Sequence, residues 1–568
     1  MIGSIDLFIF KLFTIFWAII LSKTFHSQPF SLPNMSNPSA HPDWSRPVEE
    51  QLSALSLEQK VAQLIHTTVN PCVEALDLAR DFGGISPGGV FLFPGTQAQM
   101  KAAVAAINEA CPLKPVISSD LENGAGRMIK DATVFPDLMG IAATDSEAWA
   151  RQVGEAAALE GRACGIHWSF GPVVDINANP SNPITNTRSF GDDPERIRRL
   201  STAMIQGMQS AGMAATAKHF PGDGFDDRDQ HICTTVNPLS VEDWHRLSGR
   251  MFKGAIDAGV WTMMTGHIAL PSVAPGEDGT PESAMPCTLE PRLIEGLLRG
   301  ELGFGGLVIS DAMGMGGVTA HGKRKTILVG AINAGCDMVL FTSPDRDYRL
   351  LLEAARSGEI SPARLDEAVA RVLALKQKLF AWPAEPVGPE RVEAHRALAT
   401  TIADQAITLR RDRHGCLPLD LGQGTRVLSF HVRGDPAYHV DAVDTLLRER
   451  GCEVDRIDET SDPFPSEEAL EAYDVLLVHF VYGPTWCTGR IRPAGNIMRP
   501  LTSLVAAHHP RTAMISYGSP YIEREFPHAP CVIDAYSPDP ATIEAVVKVL
   551  TGAIKPQGRS PVQAMSRK

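Results

Sequence analysis

From residue 48 to about 380, short apolar runs alternate with longer stretches of helical period. The first regular pattern is helical. Ser56, with Gln59 three positions on, reads as a capping box, and Leu57, Val61, Leu64 and Ile65 fall on one face. Apolar runs at 89–93 (GVFLF), 115–119 (PVISS), 167–170 (HWSF), 213–217 (MAATA), 260–264 (VWTMM), 306–310 (GLVIS) and 338–341 (MVLF) read as strands. Each is bounded by turn residues and followed by helix-compatible sequence, as at 145–162 and 194–212. Strands this short and this apolar suit a parallel sheet covered on both faces. Their repetition over roughly 300 residues predicts a (β/α)8-type TIM barrel in preference to a doubly wound sheet.

The polar residues sharpen that expectation. The predicted strands run, in order, into Asp120, Asp175, Lys218-His219, His267 and Asp311. One such residue is ordinarily a helix cap. Five in succession match a barrel whose active site is built at the C-terminal ends of its strands. The barrel is expected over 35–382. A proline-rich stretch (WPAEPVGP, 382–389) then opens a linker over 383–395. Apolar strands at 426–430, 475–481 and 512–516, with a helix at 442–450, predict a second α/β open-sheet sandwich domain over 396–562 and a tail at 563–568.

Composition narrows the function. The net charge of −14 offers no basic field for phosphates, which excludes nucleic acid as the partner. Ten cysteines stand singly with no C-x-x-C spacing, the pattern of free thiols in a reducing, cytoplasmic setting. No Walker-type phosphate loop, dinucleotide fingerprint or metal-ligand spacing occurs, so no cofactor and no metal are expected. The apolar run 12–21 (LFTIFWAIIL) has the length of a signal-peptide core but is short for a spanning helix. Residues 1–34 therefore read either as a signal or anchor, with membrane contact only in that case, or as upstream sequence before a start at Met35. The cysteines favour the second reading. Nothing in the sequence sets an oligomeric state.

The chemistry concentrates at 218–231 (KHFPGDGFDDRDQH). Pro221, Gly222 and Gly224 make a tight loop at a strand end. Asp229 and His231, one residue apart, can place a carboxylate on one imidazole nitrogen, fixing the tautomer and leaving the other nitrogen for a substrate.

The arrangement Lys-His-Phe-Pro-Gly-x-Gly-x-x-x-x-Asp-x-His resembles the signature of the β-N-acetylglucosaminidases of glycoside hydrolase family 3. The segments Ser119-Asp120-Leu121-Glu122-Asn123-Gly124, Phe170-Gly171-Pro172-Val173-Val174-Asp175, Asn186-Thr187-Arg188-Ser189-Phe190-Gly191 and Ser310-Asp311-Ala312-Met313-Gly314-Met315 are similar to further blocks of that family. The resemblance implies Asp311 as catalytic nucleophile and Asp229-His231 as general acid/base dyad. It implies Asp120, Arg188, Lys218, His219 and Arg127 as sugar ligands, Arg127 standing out of step with the family spacing. The implied substrate is a terminal β-linked N-acetylglucosamine on a small oligosaccharide or muropeptide-type glycoside, from peptidoglycan or chitin fragments. One residue departs from the pattern: Asp223 stands between the two glycines, where His or Asn is usual. Phosphorolysis by the same dyad, a β-glucosidase-type exo-glycosidase and an inactive sugar-binding protein remain as alternatives.

Overall fold

The structure, a computed structural model, describes residues 45–73, 76–383, 385–434, 438–458, 467–487, 491–493 and 511–563. The expectations for 1–34, and for the tail beyond residue 563, lie outside these residues.

Eight strands form the first sheet: β1 (Ile65–Val69), β2 (Gly89–Leu92), β3 (Val116–Ser119), β4 (Trp168–Ser169), β5 (Thr216–Phe220), β6 (Thr262–Thr265), β7 (Leu307–Ala312) and β8 (Met338–Leu340). They pair in the order β4-β3-β2-β1-β8-β7-β6-β5, and every pairing is parallel. Bridges between Trp168 and Ala214, and between Val173 and Lys218, link the two outer edges and nearly close the barrel. Helices such as Glu147–Ala163 and Pro194–Ser210 cover it, each capped at its start by a side chain, Ser146 and Asp193 respectively. The lumen is packed solid: Phe91, Trp168 and Phe170 lie ring to ring, and the Trp168 indole N–H donates to Thr216 Oγ1 at 2.8 Å and Thr262 Oγ1 at 2.9 Å.

Two boundaries differ from the sequence expectation. The Ser56 capping box is present, but its helix stops at Gln63 and Ile65 opens β1. That strand, Ile-His-Thr-Thr-Val, carries too many polar atoms to read as an apolar run. Its β-branched residues and parallel pairing with β2 and β8 make it a strand nonetheless. The fifth strand starts at Thr216 rather than 213 and β7 runs on to Ala312, so Lys218, His219 and Asp311 lie within their strands, at points where the ladder register shifts.

The second sheet comprises β9 (Thr408–Asp412), β10 (Arg426–Arg433), β11 (Glu453–Asp458), β12 (Val475–Val481), β13 (Thr512–Ser516) and β14 (Cys531–Asp534). Its order is β9-β14-β13-β12-β10-β11, antiparallel only at β9–β14. Separate apolar clusters cover its two faces, as a sandwich requires. The helix Pro389–Ala406 begins inside the stretch read as linker and leads directly into β9. Met139 and Ala143 of the barrel pack with Ala406, Tyr521, Tyr536 and Val562. The side-chain amide of Asn177 donates to Tyr521 Oη at 2.8 Å, and that of Asn186 to Ser519 Oγ at 3.2 Å. Gly191 (φ +119°) passes so close to Pro561 that a Cβ there would meet its carbonyl oxygen at 2.1 Å. No helix among the described residues is long and apolar enough to cross a membrane.

Candidate active site

The strand ends gather the predicted residues at one mouth of the barrel. Asp311 lies near the end of β7, with one carboxylate oxygen accepting the backbone N–H of Ala312 at 2.7 Å. Burial pushes its pKa up, but the imidazoles of His219, His267 and His231 and the Ala312 amide outweigh that, and the carboxyl titrates below its ordinary value. It is thus an ionised carboxylate at neutral pH.

His231 and Asp229 meet as the spacing predicted. His231 Nδ1 lies 2.8 Å from Asp229 Oδ1, which also accepts the backbone N–H of His231 at 2.8 Å. Asp229 Oδ2 accepts the backbone N–H of Cys487 at 2.6 Å. Burial acts against the Asp229 anion, but these hydrogen bonds and the imidazole hold its carboxyl below the usual range. With the Asp229 side chain fully buried and that of His231 27% exposed, the ring is anchored from behind. Its Nε2 makes no hydrogen bond to any described residue.

Two of the expected sugar ligands converge on a carboxylate to which the sequence pattern assigns no role. Glu122, in the loop after β3, is 3% exposed and takes Lys218 Nζ at 2.6 Å. Arg188 clasps it through Nε at 3.0 Å and Nη2 at 2.7 Å. Burial again opposes its charge, yet Arg188 and Lys218 drive the carboxyl well below its ordinary value and Glu122 raises that of Arg188. Lys218 Nζ also reaches the more exposed Asp120 at 3.2 Å. The signal for Glu122 was available: it lies two residues beyond Asp120, in a loop leaving a barrel strand.

His219 is held by Asp175, Nδ1 to Oδ2 at 2.7 Å, as His231 is by Asp229. Arg127, in the short turn Ala125–Arg127, lies within electrostatic reach of Glu122 and Asp137. His267 is fully buried, its Nε2 3.1 Å from the Ala312 carbonyl and its Nδ1 3.0 Å from Thr288, so it braces the strand that carries Asp311. Asp223 does not join the sugar ligands. It is 3% exposed and accepts from Asn182 Nδ2 at 2.9 Å, Gly224 N at 2.6 Å and Gln230 Nε2 at 3.1 Å, so it fastens the loop from within.

The second domain supplies what the sequence reading missed. The loop after β12 carries Trp486, whose ring centre lies 6.3 Å from that of His231, next to Cys487 on Asp229. Trp486 remains 37% exposed, an aromatic face left open beside the dyad.

Fixed cations and carboxylates set side by side match hydroxyl groups, each of which both donates and accepts. The fold and the site together define a glycoside-processing barrel enzyme. The chain belongs to glycoside hydrolase family 3: residues 56–375 match the glycosyl hydrolase family 3 N terminal domain. It is 35% identical over 508 residues, 85% of this chain and 89% of the relative, to a β-N-acetylglucosaminidase/β-glucosidase of Cellulomonas fimi. The fold is similar to that of a β-glucoside phosphorylase, BglX, bound to 2FGlc (TM-score 0.84, 33% identity, 91% of this chain and 96% of that one). It is also similar to a family 3 β-N-acetylglucosaminidase from Paenibacillus sp. str. FPU-7 (TM-score 0.78, 29% identity, 90% and 99%).

Proposed function

We propose that this enzyme is a retaining exo-glycosidase that removes terminal non-reducing β-linked N-acetylglucosamine, with Asp311 as nucleophile and His231 as acid/base. The observation that carries the reading is the doubly anchored Asp229. One oxygen takes His231 Nδ1 at 2.8 Å and the other the Cys487 amide, so Nε2 is the nitrogen left for the glycosidic oxygen. In the first step Asp311 attacks the anomeric carbon while His231 protonates the leaving oxygen. In the second, the neutral imidazole takes a proton from water as water displaces Asp311. Lys218, Arg188, Asp120, His219 and Arg127 hold the sugar, and Glu122 keeps the two nearest cations in place. Trp486 lies on the leaving-group side, beside the acid, and offers its face to the aglycone. A cytoplasmic setting is supported by ten cysteines that stand as free thiols.

Phosphorolysis is the second reading, favoured by the likeness to a β-glucoside phosphorylase and by an imidazole base, which as the neutral form does not repel phosphate as a carboxylate base does. The test is turnover of aryl N-acetylglucosaminide and aryl glucoside with and without inorganic phosphate, identifying the sugar released. Free N-acetylglucosamine at a phosphate-independent rate supports hydrolysis; a sugar 1-phosphate replaces it with phosphorolysis. A strong preference for the glucoside overturns the substrate assignment.

A further inference from the structure

Strands β10 and β12 run in register, and His431 stands directly opposite His479. Their rings lie 4.9 Å apart on one face of the sheet, with the ring of Tyr517 5.8 Å from His479. The helix Ala442–Glu449 brings Asp444 to the same place. One ligand atom from each of His431, Asp444 and His479 falls within 4.8 Å of the others. Both histidines are fully buried, Asp444 is 2% exposed, and this face is otherwise apolar, with Val427, Val443, Leu447, Leu477 and Ile515.

Hydrogen bonding within the cluster is incomplete. His431 Nε2 meets Ser429 Oγ at 3.0 Å and Asp444 Oδ1 at 3.3 Å, and Ser429 donates to Asp444 Oδ1 at 2.5 Å. Among the described residues, both ring nitrogens of His479, His431 Nδ1, Asp444 Oδ2 and Tyr517 Oη have no hydrogen-bond partner. A buried His431–Asp444 ion pair explains neither nitrogen of His479. Buried polar atoms without partners are rare in folded proteins, because each forfeits its bonds to water for nothing in return. Five in one dry place indicate that something else occupies it.

The atoms left without partners say what: three imidazole nitrogens and one carboxylate oxygen, all buried, on residues whose ligand atoms lie together. Imidazole nitrogen with a carboxylate oxygen is the donor set of zinc and its neighbours. We infer that His431, His479 and Asp444 bind one divalent transition-metal ion of the zinc class, which ties β10, β12 and the helix Ala442–Glu449 together. The ring of Tyr517, 5.8 Å from that of His479, brings a further hydroxyl without a partner to the same place. The spacing hides this site in the sequence, because its ligands come from two neighbouring strands and a helix instead of one i, i+4 face.

The test is metal analysis of the full chain, purified without a histidine tag or chelator. The expected result is one zinc per chain, replaceable by Co2+ with the visible absorption of a low-coordinate cobalt site, and a Tm that falls on removal by dipicolinate. His479→Gln and His431→Gln should lose both the metal and the cobalt band, while Cys416→Ser should keep them. That control separates this cluster from Asp412, Cys416 and Cys531, which also lie together. Should the histidine variants fail to fold, the wild-type metal content and cobalt spectrum decide alone. A chain that takes up neither Zn2+ nor Co2+, or one that keeps its metal in His479→Gln, or loses it in Cys416→Ser, overturns the assignment.

Discussion

Asp229 uses both carboxylate oxygens at once, one on the imidazole of His231 and one on the amide of Cys487. An imidazole so held acts as one unit with its carboxylate. His231→Ala is therefore expected to cost roughly 10²–10⁴ in rate on poor leaving groups, and adding Asp229→Ala should cost little more. Dinitrophenyl glycosides, which need little protonation, should be nearly spared in their first step. A rate loss that is equal for every leaving group, or additive between the two sites, contradicts the dyad. Asp223 makes a separate prediction. Its carboxyl is pushed up to about 6, by burial first and by Asp175 second. The folded pKa stands above the unfolded value of about 3.9, so this group's stabilising contribution is full below about pH 3.9 and is lost as pH rises through about 6. Asp223→Asn gives up an oxygen that accepts from Gln230 but is permanently neutral, so its stability relative to the parent enzyme should rise between about pH 4 and about pH 6, by on the order of 1–3 kcal/mol. A pH-independent difference in Tm contradicts this.

At the scale of elements, the loop after β12 is the piece whose removal should change selectivity. Trp486→Ala should raise KM for chitobiose-like and aryl substrates while leaving hydrolysis of a small alkyl glycoside nearly unchanged, a loss of about 1–3 kcal/mol in binding if the stacked aglycone is the contact removed. Equal loss on both substrates would make Trp486 a prop for His231 instead. This loop also marks where the sequence stopped being legible. Seven barrel strands could be read because buried parallel strands are apolar throughout, and the Asp229–His231 pair because two residues of chain fix its reach. The first strand, Ile65–Val69, could not, since His66 and two threonines break its apolar run. Trp486 and Cys487 lie more than two hundred residues from the dyad, and no periodicity reports such a meeting. Glu122 was in view, yet its position depends on Arg188 arriving from the turn Asn186–Arg188 and Lys218 from β5.

At the scale of the molecule, two α/β units meet through Tyr521, Tyr536 and Ala406, and the second completes the site made by the first. The barrel carries Asp311, His231 and the side chains proposed to hold the sugar; the sandwich domain adds the amide that fixes Asp229 and the open indole of Trp486. In the mechanism proposed above, Asp311 forms a covalent bond to the sugar and His231 serves the departure and the arrival of the groups exchanged there. The most direct measurement is mass-spectrometric peptide mapping of the His231→Ala enzyme during turnover of dinitrophenyl N-acetylglucosaminide, followed by addition of azide. A glycosyl adduct on Asp311 that accumulates, then clears as β-glycosyl azide, is the expected result; an adduct on any other residue, or none at all while azide leaves the rate unchanged, contradicts the account.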